Sequence, residues 1–275
     1  GTKTFLCIYR DIEGQLRKEH GQRYRSTDWR DLESMLRHFL DQVPADLPQP
    51  VSSCIAVAGP VHQGKAKLTN LPWQMSQTSL SDATGVRRLE LVNDFAVLIH
   101  GLPHLNDQQQ VVIQRGRDRS TPAPAGTDNG PVAILGAGTG LGMARGLPAA
   151  GGWIAMPSEG GHREFAPRTE AEWELAQWLK QDLGLQRLSI ERIVSGTGLG
   201  HVMNWLLHRE AGIQHGLRAH AHAWRTITAD QPGYRDLPSI TGKAAAEGDL
   251  LATEALQLWL GAYGSVAGDL ALQEL

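Results

Sequence analysis

The sequence predicts an α/β protein built from two related domains, and three observations carry that reading. Short apolar runs of strand length alternate with segments of helical spacing in the first half, and the second half is helix-rich. Each half opens on a strand, a Gly-containing turn and a second strand: TFLCIYR-DIEG-QLRKEH in the first, PVAILGAGTGLGMARG in the second. The chain has 275 residues, enough for two domains of ordinary size. Two such domains are expected to bind ligands in a cleft between them.

The elements run in order along the chain. TFLCIYR and QLRKEHGQRYR alternate across a D-x-E-G turn and read as a β-hairpin. Residues 28–41 place Leu32, Met35, Leu36, Phe39 and Leu40 on one helical face, with Asp28 available near the start. SSCIAVAG reads as a buried strand ending at Gly59-Pro60. LTNLPWQMS is expected to be a loop, and Ser79 through Val86 a short helix. LELVND reads as a second buried strand, and FAVLIHGL starts a helix directly after it. A further strand is expected at 111–114, then a Gly/Pro/Ser/Thr-rich surface loop, GRDRSTPAPAGTDNG. In the second half, residues 169–183, 189–210 and 240–275 carry helical spacing.

Composition narrows the function. A hydrophobic content of 41% with mixed charge predicts a packed core rather than disorder. The net charge of −3 comes without a Lys/Arg block, which gives no basis for a nucleic-acid partner. No apolar segment reaches 18 residues and no signal peptide is present, so a cytoplasmic protein without membrane partners is expected. Cys7 and Cys54 sit in apolar runs and read as small buried hydrophobes, neither a disulfide nor a catalytic thiol. His208, His215, His220 and His222 lack the i, i+4 spacing of a helical metal site and read as solvated helix residues.

The residues with chemistry lie at strand ends and among glycines. Asn93-Asp94 closes LELVND, Glu159 and His162 bracket two glycines in SEGGHREF, and Glu191 stands alone in SIERIVSGTGLG. Carboxylates accept hydroxyl hydrogen bonds, an amide both donates and accepts, and an imidazole does one of either. That inventory, without a cysteine cage, suits a polyol. Each piece also has a plainer reading. Asp94 could be a helix cap, the SEGGH stretch a polar hairpin, and Glu191 a helix-start carboxylate. GAGTGLG is either a tight turn needing positive φ or a Gly hairpin whose N–H groups and Thr139 hydroxyl meet phosphate. The dinucleotide fingerprint fails, because position 141 is Leu and the residues after the glycines are strand-like. A nicotinamide-dependent dehydrogenase therefore rests on the glycines alone.

LVNDF, GAGTGLG, SEGGHREFAP, ERIVSGTGL and the opening GTKT together resemble the bacterial glucokinase family of the hexokinase/actin-like ATPase superfamily, across essentially the whole chain. With only Cys7 and Cys54, the chain resembles the branch without a zinc motif. The resemblance implies a two-domain actin-like ATPase (ribonuclease H-like) fold, a small domain over 1–104 and a large one over 105–275, with a cleft between them. It implies ATP-dependent phosphorylation of D-glucose to glucose 6-phosphate, with Mg²⁺, in a cytoplasmic homodimer. Asp94 is implied as general base, and Asn93, Glu159, His162, Glu191 and Asn70 as sugar ligands. Thr2 and Lys3 match the end of the first phosphate motif, and Gly138, Thr139 and Gly140 match the second. The other reading is a sugar-binding or regulatory protein of the same fold without turnover. ADP or polyphosphate could replace ATP as donor on the residues alone. The family pattern has a strand with an Asp and a Gly before GT, and a C-terminal strand, Gly-rich adenosine motif and closing helix. These 275 residues lack both, so the reading expects residues beyond each end, and glucose binding that outlasts ATP binding without them.

Overall fold

The computed structural model describes residues 3–68, 71–114 and 130–273. The chain divides into two compact units, Gly1–Pro103 and His104–Leu275. The predicted Gly/Pro-rich loop over 116–130 lies almost entirely outside the described residues.

The first unit opens on the predicted hairpin, β1 (Lys3–Ile12) against β2 (Gln15–Arg25), antiparallel. Its turn places Glu13 at φ 54° and Gly14 at φ 81°. Two consecutive left-handed residues match the right-handed strand twist, which is why Gly sits second. Helix α1 (Leu32–Asp41) buries Leu32, Met35, Leu36 and Phe39, the i, i+3, i+4, i+7 set of one face. Its cap is Asp31 and not Asp28, which lies in a separate 3₁₀ turn, Ser26–Asp28. The Asp31 carboxylate accepts from Ser34 N at 2.8 Å. Hydrogen bonds from Ser34, then the Arg30 guanidinium, hold its pKa down at about 2.

Strand β3 (Ser52–Val57) comes next, then a small antiparallel sheet of β4 (Val61–His62), β5 (Lys65–Lys67) and β6 (Gln74–Ser76) in that order. Part of the expected LTNLPWQMS loop is therefore strand. Helix α2 (Gln77–Thr84) starts two residues earlier than expected, because Ser76 and Ser79 form a reciprocal capping box, and it stops at Gly85 with φ 73°. Strand β7 (Arg88–Asn93) pairs in parallel with β3, and α3 (Ala96–Gly101) begins almost at once. No strand forms at 111–114; Val111, Val112 and Ile113 are exposed.

Neither β3 nor β7 is buried on both faces, contrary to what their apolar composition predicts. In β7 only Leu89 and Leu91 are fully buried, and in β3 only Val57. Among the described residues β1 pairs only with β2 and β3 only with β7. Residues of β1, β3 and α1 line a cavity of about 1280 Å³ within this unit. Cys7 and Cys54 both line it, so neither is the buried hydrophobe expected; Cys7 is half-buried and Cys54 exposed, and both are free thiols.

The second unit begins with an antiparallel meander, β8 (Val132–Ala137), β9 (Leu141–Ala149) and β10 (Gly152–Ser158), with β9 in the centre. The glycine segment thus leads strand into strand, as predicted. Helix α4 (Glu170–Asp182) is capped by Thr169, and α5 (Gly196–His208) by Ser195. Helix α6 (Arg218–Thr226) and α7 (Leu237–Ala246) precede α8 (Leu250–Gln273), with Gly248 at φ 93° separating the last two. Every α5 residue from Gly198 to Leu207 is buried, as expected for a helix apolar on all sides. Helix α5 packs against α7 and α8. A Cβ on Gly200 would fall 2.8 Å from the Trp224 ring and 3.1 Å from Pro238, so glycine sets how closely these elements approach. Among the described residues no metal cluster forms and no helix is long and apolar enough to cross a membrane. Of the four histidines read as solvated, His215 meets Asp249 at 3.0 Å and His220 is half-buried.

One polar residue inside α5 does have an unusual setting. His201 is 6% exposed and lies beside Trp224, and among the described residues neither of its buried ring nitrogens has a hydrogen-bond partner. Burial lowers its pKa to about 4; Arg192 and Arg225 push the same way and Asp182 opposes them. The unfolded chain takes up this proton near 6.5 and the folded chain only near 4. Stability is therefore complete above pH 6.5 and is lost as pH falls through that window. The interval corresponds to on the order of 3 kcal/mol. Denaturant titrations between about pH 7 and pH 4 should show wild type losing that much more stability than His201→Phe. Parallel losses in the two proteins would mean that this imidazole does not titrate in the core.

Candidate functional site

In the first unit the candidate residues stand at the end of β7. Asn93 is its last residue, opposite Val57 of β3, and Asp94 N donates to Val57 O at 3.0 Å. The Asn93 side chain is committed to structure. Its Oδ1 accepts from both Phe95 N and Ala96 N at 3.0 Å, capping the start of α3, and its Nδ2 donates to Gly59 O at 3.2 Å. The residue at the cap position of α3 is Phe95, without a side-chain cap bond, and it is Asn93 Oδ1 that takes the two amides at the helix entry. The Asp94 carboxyl is half-buried, and burial raises its pKa, with the amides of Asp94 and Phe95 partly offsetting the rise. A carboxylate with a raised pKa is a better proton acceptor. Asp94 lines the same cavity as Lys3, the exposed first residue of β1. Thr2 and Asn70 lie outside the described residues.

In the second unit the structure brings Glu159, His162, Glu191 and the Gly138-Thr139-Gly140 turn together. A 3₁₀ turn, Gly160–His162, comes after β10 and folds onto β9. A Cβ on Gly161 would fall 2.3 Å from Leu141 O, and one on Gly160 2.6 Å from Met143 Sδ. The glycines allow the backbone to approach this closely, which sets Glu159 and His162 at one edge. Glu191 sits in a second 3₁₀ turn, Ile190–Arg192, that touches the first. His162 lies between two carboxylates, with Nε2 3.6 Å from Glu159 Oε2 and Nδ1 3.5 Å from Glu191 Oε1. Glu159 and His162 are more than half exposed, whereas the Glu191 side chain is 26% exposed. Two carboxylates around an imidazole offer acceptors and a donor to several hydroxyls at once.

Glu191 also reaches the glycine turn. Its Oε2 accepts from Leu141 N at 3.2 Å, and a Cβ on Gly140 would fall 2.5 Å from that oxygen. On the other side the turn rests on the start of α5. Gly196 N donates to Gly138 O at 2.8 Å and Thr197 Oγ1 to Thr139 O at 2.9 Å. Ser195 Oγ donates to Glu191 O at 2.7 Å and accepts from Gly198 N at 2.9 Å. In a trans peptide the C=O and the following N–H point in opposite directions. With the carbonyls of Gly138 and Thr139 held against α5, the N–H groups of Thr139 and Gly140 point away from it. Gly138 and Thr139 are exposed. Such a pair of outward N–H groups beside a hydroxyl is a fitting anion cradle, and none of the residues 138–140 has the left-handed φ that a purely conformational reading would require. Ser195, Gly196 and Thr197 lie within the ERIVSGTGL motif without being assigned a role by it; their local signal is the Ser-Gly-Thr-Gly start of an apolar helix, a capping pattern that carries no address.

Comparison with known proteins gives one answer. The family model described as Glucokinase matches residues 1–275. The glucokinase of Nostoc sp. is 36% identical over 279 residues, covering 100% of this chain and 79% of that protein. The crystal structure of glucokinase from an Antarctic psychrotroph superposes with a TM-score of 0.71 at 28% identity, over 100% of this chain and 77% of that one. A glucokinase of the ROK family from Streptomyces griseus, solved in complex with glucose and AMPPNP, shares the fold at a TM-score of 0.54 and 15% identity, over 94% and 73% of the two chains. The chain belongs to the glucokinase family.

The EGGH turn yields a test of its own. Gly161→Ala would force a methyl against a backbone carbonyl, which cannot swing aside as a side chain can. Overpacking of this kind costs about 1–3 kcal/mol. Thermal unfolding of Gly161→Ala should show a clear fall in Tm, while Gly151→Asn, a change at an open left-handed turn position, should show little. Equal Tm values for Gly161→Ala and wild type would remove the packing argument.

Proposed function

We propose that Asp94 is the general base of an ATP-dependent glucokinase, taking the proton from the glucose 6-hydroxyl as that oxygen attacks the γ-phosphorus of ATP. Glucose 6-phosphate and ADP are the products. The observation that supports Asp94 in this role is its half-buried carboxyl, raised in pKa and relieved of helix capping by Asn93. Glu159, His162 and Glu191 bind sugar hydroxyls, and Asn93 and Asn70 complete that set in the proposal. Because the Asn93 amide already holds Gly59 O and caps α3, its contribution to sugar is through its one remaining N–H and through fixing Asp94. The N–H groups of Thr139 and Gly140 meet the phosphates, with Thr2 and Lys3 as the first phosphate motif.

Phosphoryl transfer needs positioning and charge stabilisation more than covalent participation by the protein. Magnesium, carried on the nucleotide, neutralises phosphate charge. The proposal includes the two-domain actin-like ATPase arrangement, with a small domain over 1–104, a large one over 105–275 and ligands in a cleft between them. It also includes the family's cytoplasmic homodimer. Excluding water from such a site keeps water from competing with glucose as acceptor.

Asp94→Asn tests the assignment directly. It keeps the shape but not the basicity, and removal of a general base typically costs about 10²–10⁴ in rate. Its kcat should fall by that factor with glucose affinity largely retained. Since burial of the ionised carboxyl opposes folding above its pKa, the Tm near pH 7 should hold or rise. A kcat within a few-fold of wild type would end the assignment, and retained glucose affinity without turnover in wild type itself would favour a sugar-binding protein. In wild type, kcat/KM should drop on the acid side as Asp94 takes up its proton, at a pH above the ordinary Asp value of 3.8.

For the sugar ligands, Glu159→Ala, His162→Ala and Glu191→Ala should each weaken glucose binding. A hydrogen bond to a charged group contributes about 1.5–3 kcal/mol, roughly ten- to a hundredfold in Kd. Calorimetry giving wild-type Kd values for all three would return the EGGH turn to a structural role.

A further inference from the structure

We infer that Thr197, at the start of α5, is a positioning residue for phosphate transfer, because its hydroxyl fixes the peptide plane that aims the Gly140 N–H. The inference rests on the proposed phosphate role of the Gly138-Thr139-Gly140 turn and extends it to a residue outside that turn.

The turn has two peptide planes to orient, Gly138–Thr139 and Thr139–Gly140, and α5 holds one end of each. Gly196 N–H donates to Gly138 O at 2.8 Å, and Thr197 Oγ1 to Thr139 O at 2.9 Å. The first is a backbone bond that suits glycine at position 196, where a Cβ would fall 2.9 Å from Gly138 O. The second exists only because position 197 carries a hydroxyl. Without it, the Thr139–Gly140 plane is free to rotate about its flanking bonds, glycine on one side offering little resistance. The N–H that should face phosphate then spends part of its time turned away.

Position 197 is itself well fixed. Ser195 caps the helix through Gly198 N, and its carbonyl accepts from Trp259 Nε1 of α8 at 2.8 Å. The Thr197 donor therefore stands on a helix start anchored to the core, while its acceptor stands on an exposed turn. Glu191 braces the same turn from the sugar side through Leu141 N. One turn is thus held from two directions, by the proposed sugar carboxylate at Leu141 and by Thr197 at Thr139. Loss of the Thr197 bond should be felt by nucleotide and not by sugar.

The experiment is steady-state kinetics and glucose calorimetry on Thr197→Val, with Thr197→Ser as the rescue. Valine keeps the shape and removes the donor. Loss of one hydrogen bond of ordinary strength gives an expected change of roughly twofold to tenfold in kcat/KM for ATP. Glucose Kd and Tm should stay at wild-type values, and Thr197→Ser should restore ATP kinetics. If the valine variant fails to fold, Thr197→Ala takes its place. Hydrogen exchange of the peptide spanning 138–141, with and without AMPPNP, tests the underlying assignment in wild type. Protection by AMPPNP with unchanged ATP kinetics in Thr197→Val would overturn the role of Thr197 alone. No protection in wild type would overturn the phosphate role of the turn and this inference with it. A valine variant that loses glucose affinity and Tm in step would make Thr197 a structural residue only.

Discussion

The second unit depends on backbone lying directly on backbone, which glycine alone permits. Gly161 presses on Leu141 O, Gly196 on Gly138 O, and Gly198 on Ile193 O, where a Cβ would fall 1.9 Å away. Gly140 makes the same allowance for the Glu191 carboxylate. These contacts draw the β8–β9 turn, the EGGH turn, the Glu191 turn and the start of α5 into one neighbourhood. Side chains that are otherwise ordinary, a glutamate in a 3₁₀ turn and a threonine near a helix cap, gain their roles from that convergence.

The first unit solves a different problem, that of setting a half-buried carboxylate at a strand end just before a helix. An acidic residue just before a helix is ordinarily drawn into capping, since the first N–H groups lack partners. Here Asn93 Oδ1 takes the amides of Phe95 and Ala96 at the helix entry, and its Nδ2 ties the strand end to Gly59. The order Asn-Asp matters: the neutral amide is held in a half-buried clamp to Gly59 and the α3 entry, while the Asp94 carboxyl meets only the nearby amides of Asp94 and Phe95. The desolvation that raises the Asp94 pKa is then available to chemistry.

Several sequence expectations fail for one shared reason. Continuous apolar runs such as SSCIAVAG predict burial on both faces, but exposure is set by which neighbours pair with the strand and what packs on it. Among the described residues β3 has a partner on one side only, so Cys54 and its alternate neighbours stay exposed despite their chemistry. The apolar residues at 111–113 likewise predict a strand, and nothing in the described structure pairs with them. Cap choice fails more locally: Asp28 and Asp31 are chemically equivalent, and only the chain path after the 3₁₀ turn decides which carboxylate meets Ser34 N.

The features legible along the chain are local and periodic: the D-x-E-G hairpin, the helical faces of α1 and α4, the strand–Gly–strand hairpin of β8 and β9, and the motif order that identifies the family. These arise from turn chemistry and side-chain spacing, which act over a few residues. Folding alone settles how residues far apart in the chain come to share one atom's environment. His162 between Glu159 and Glu191, Asn93 on Gly59 O, and Thr197 on Thr139 O, 58 residues away, are of this kind. Hydrogen bonds act only at about 3 Å, and no pattern along a chain states which distant groups will come that close.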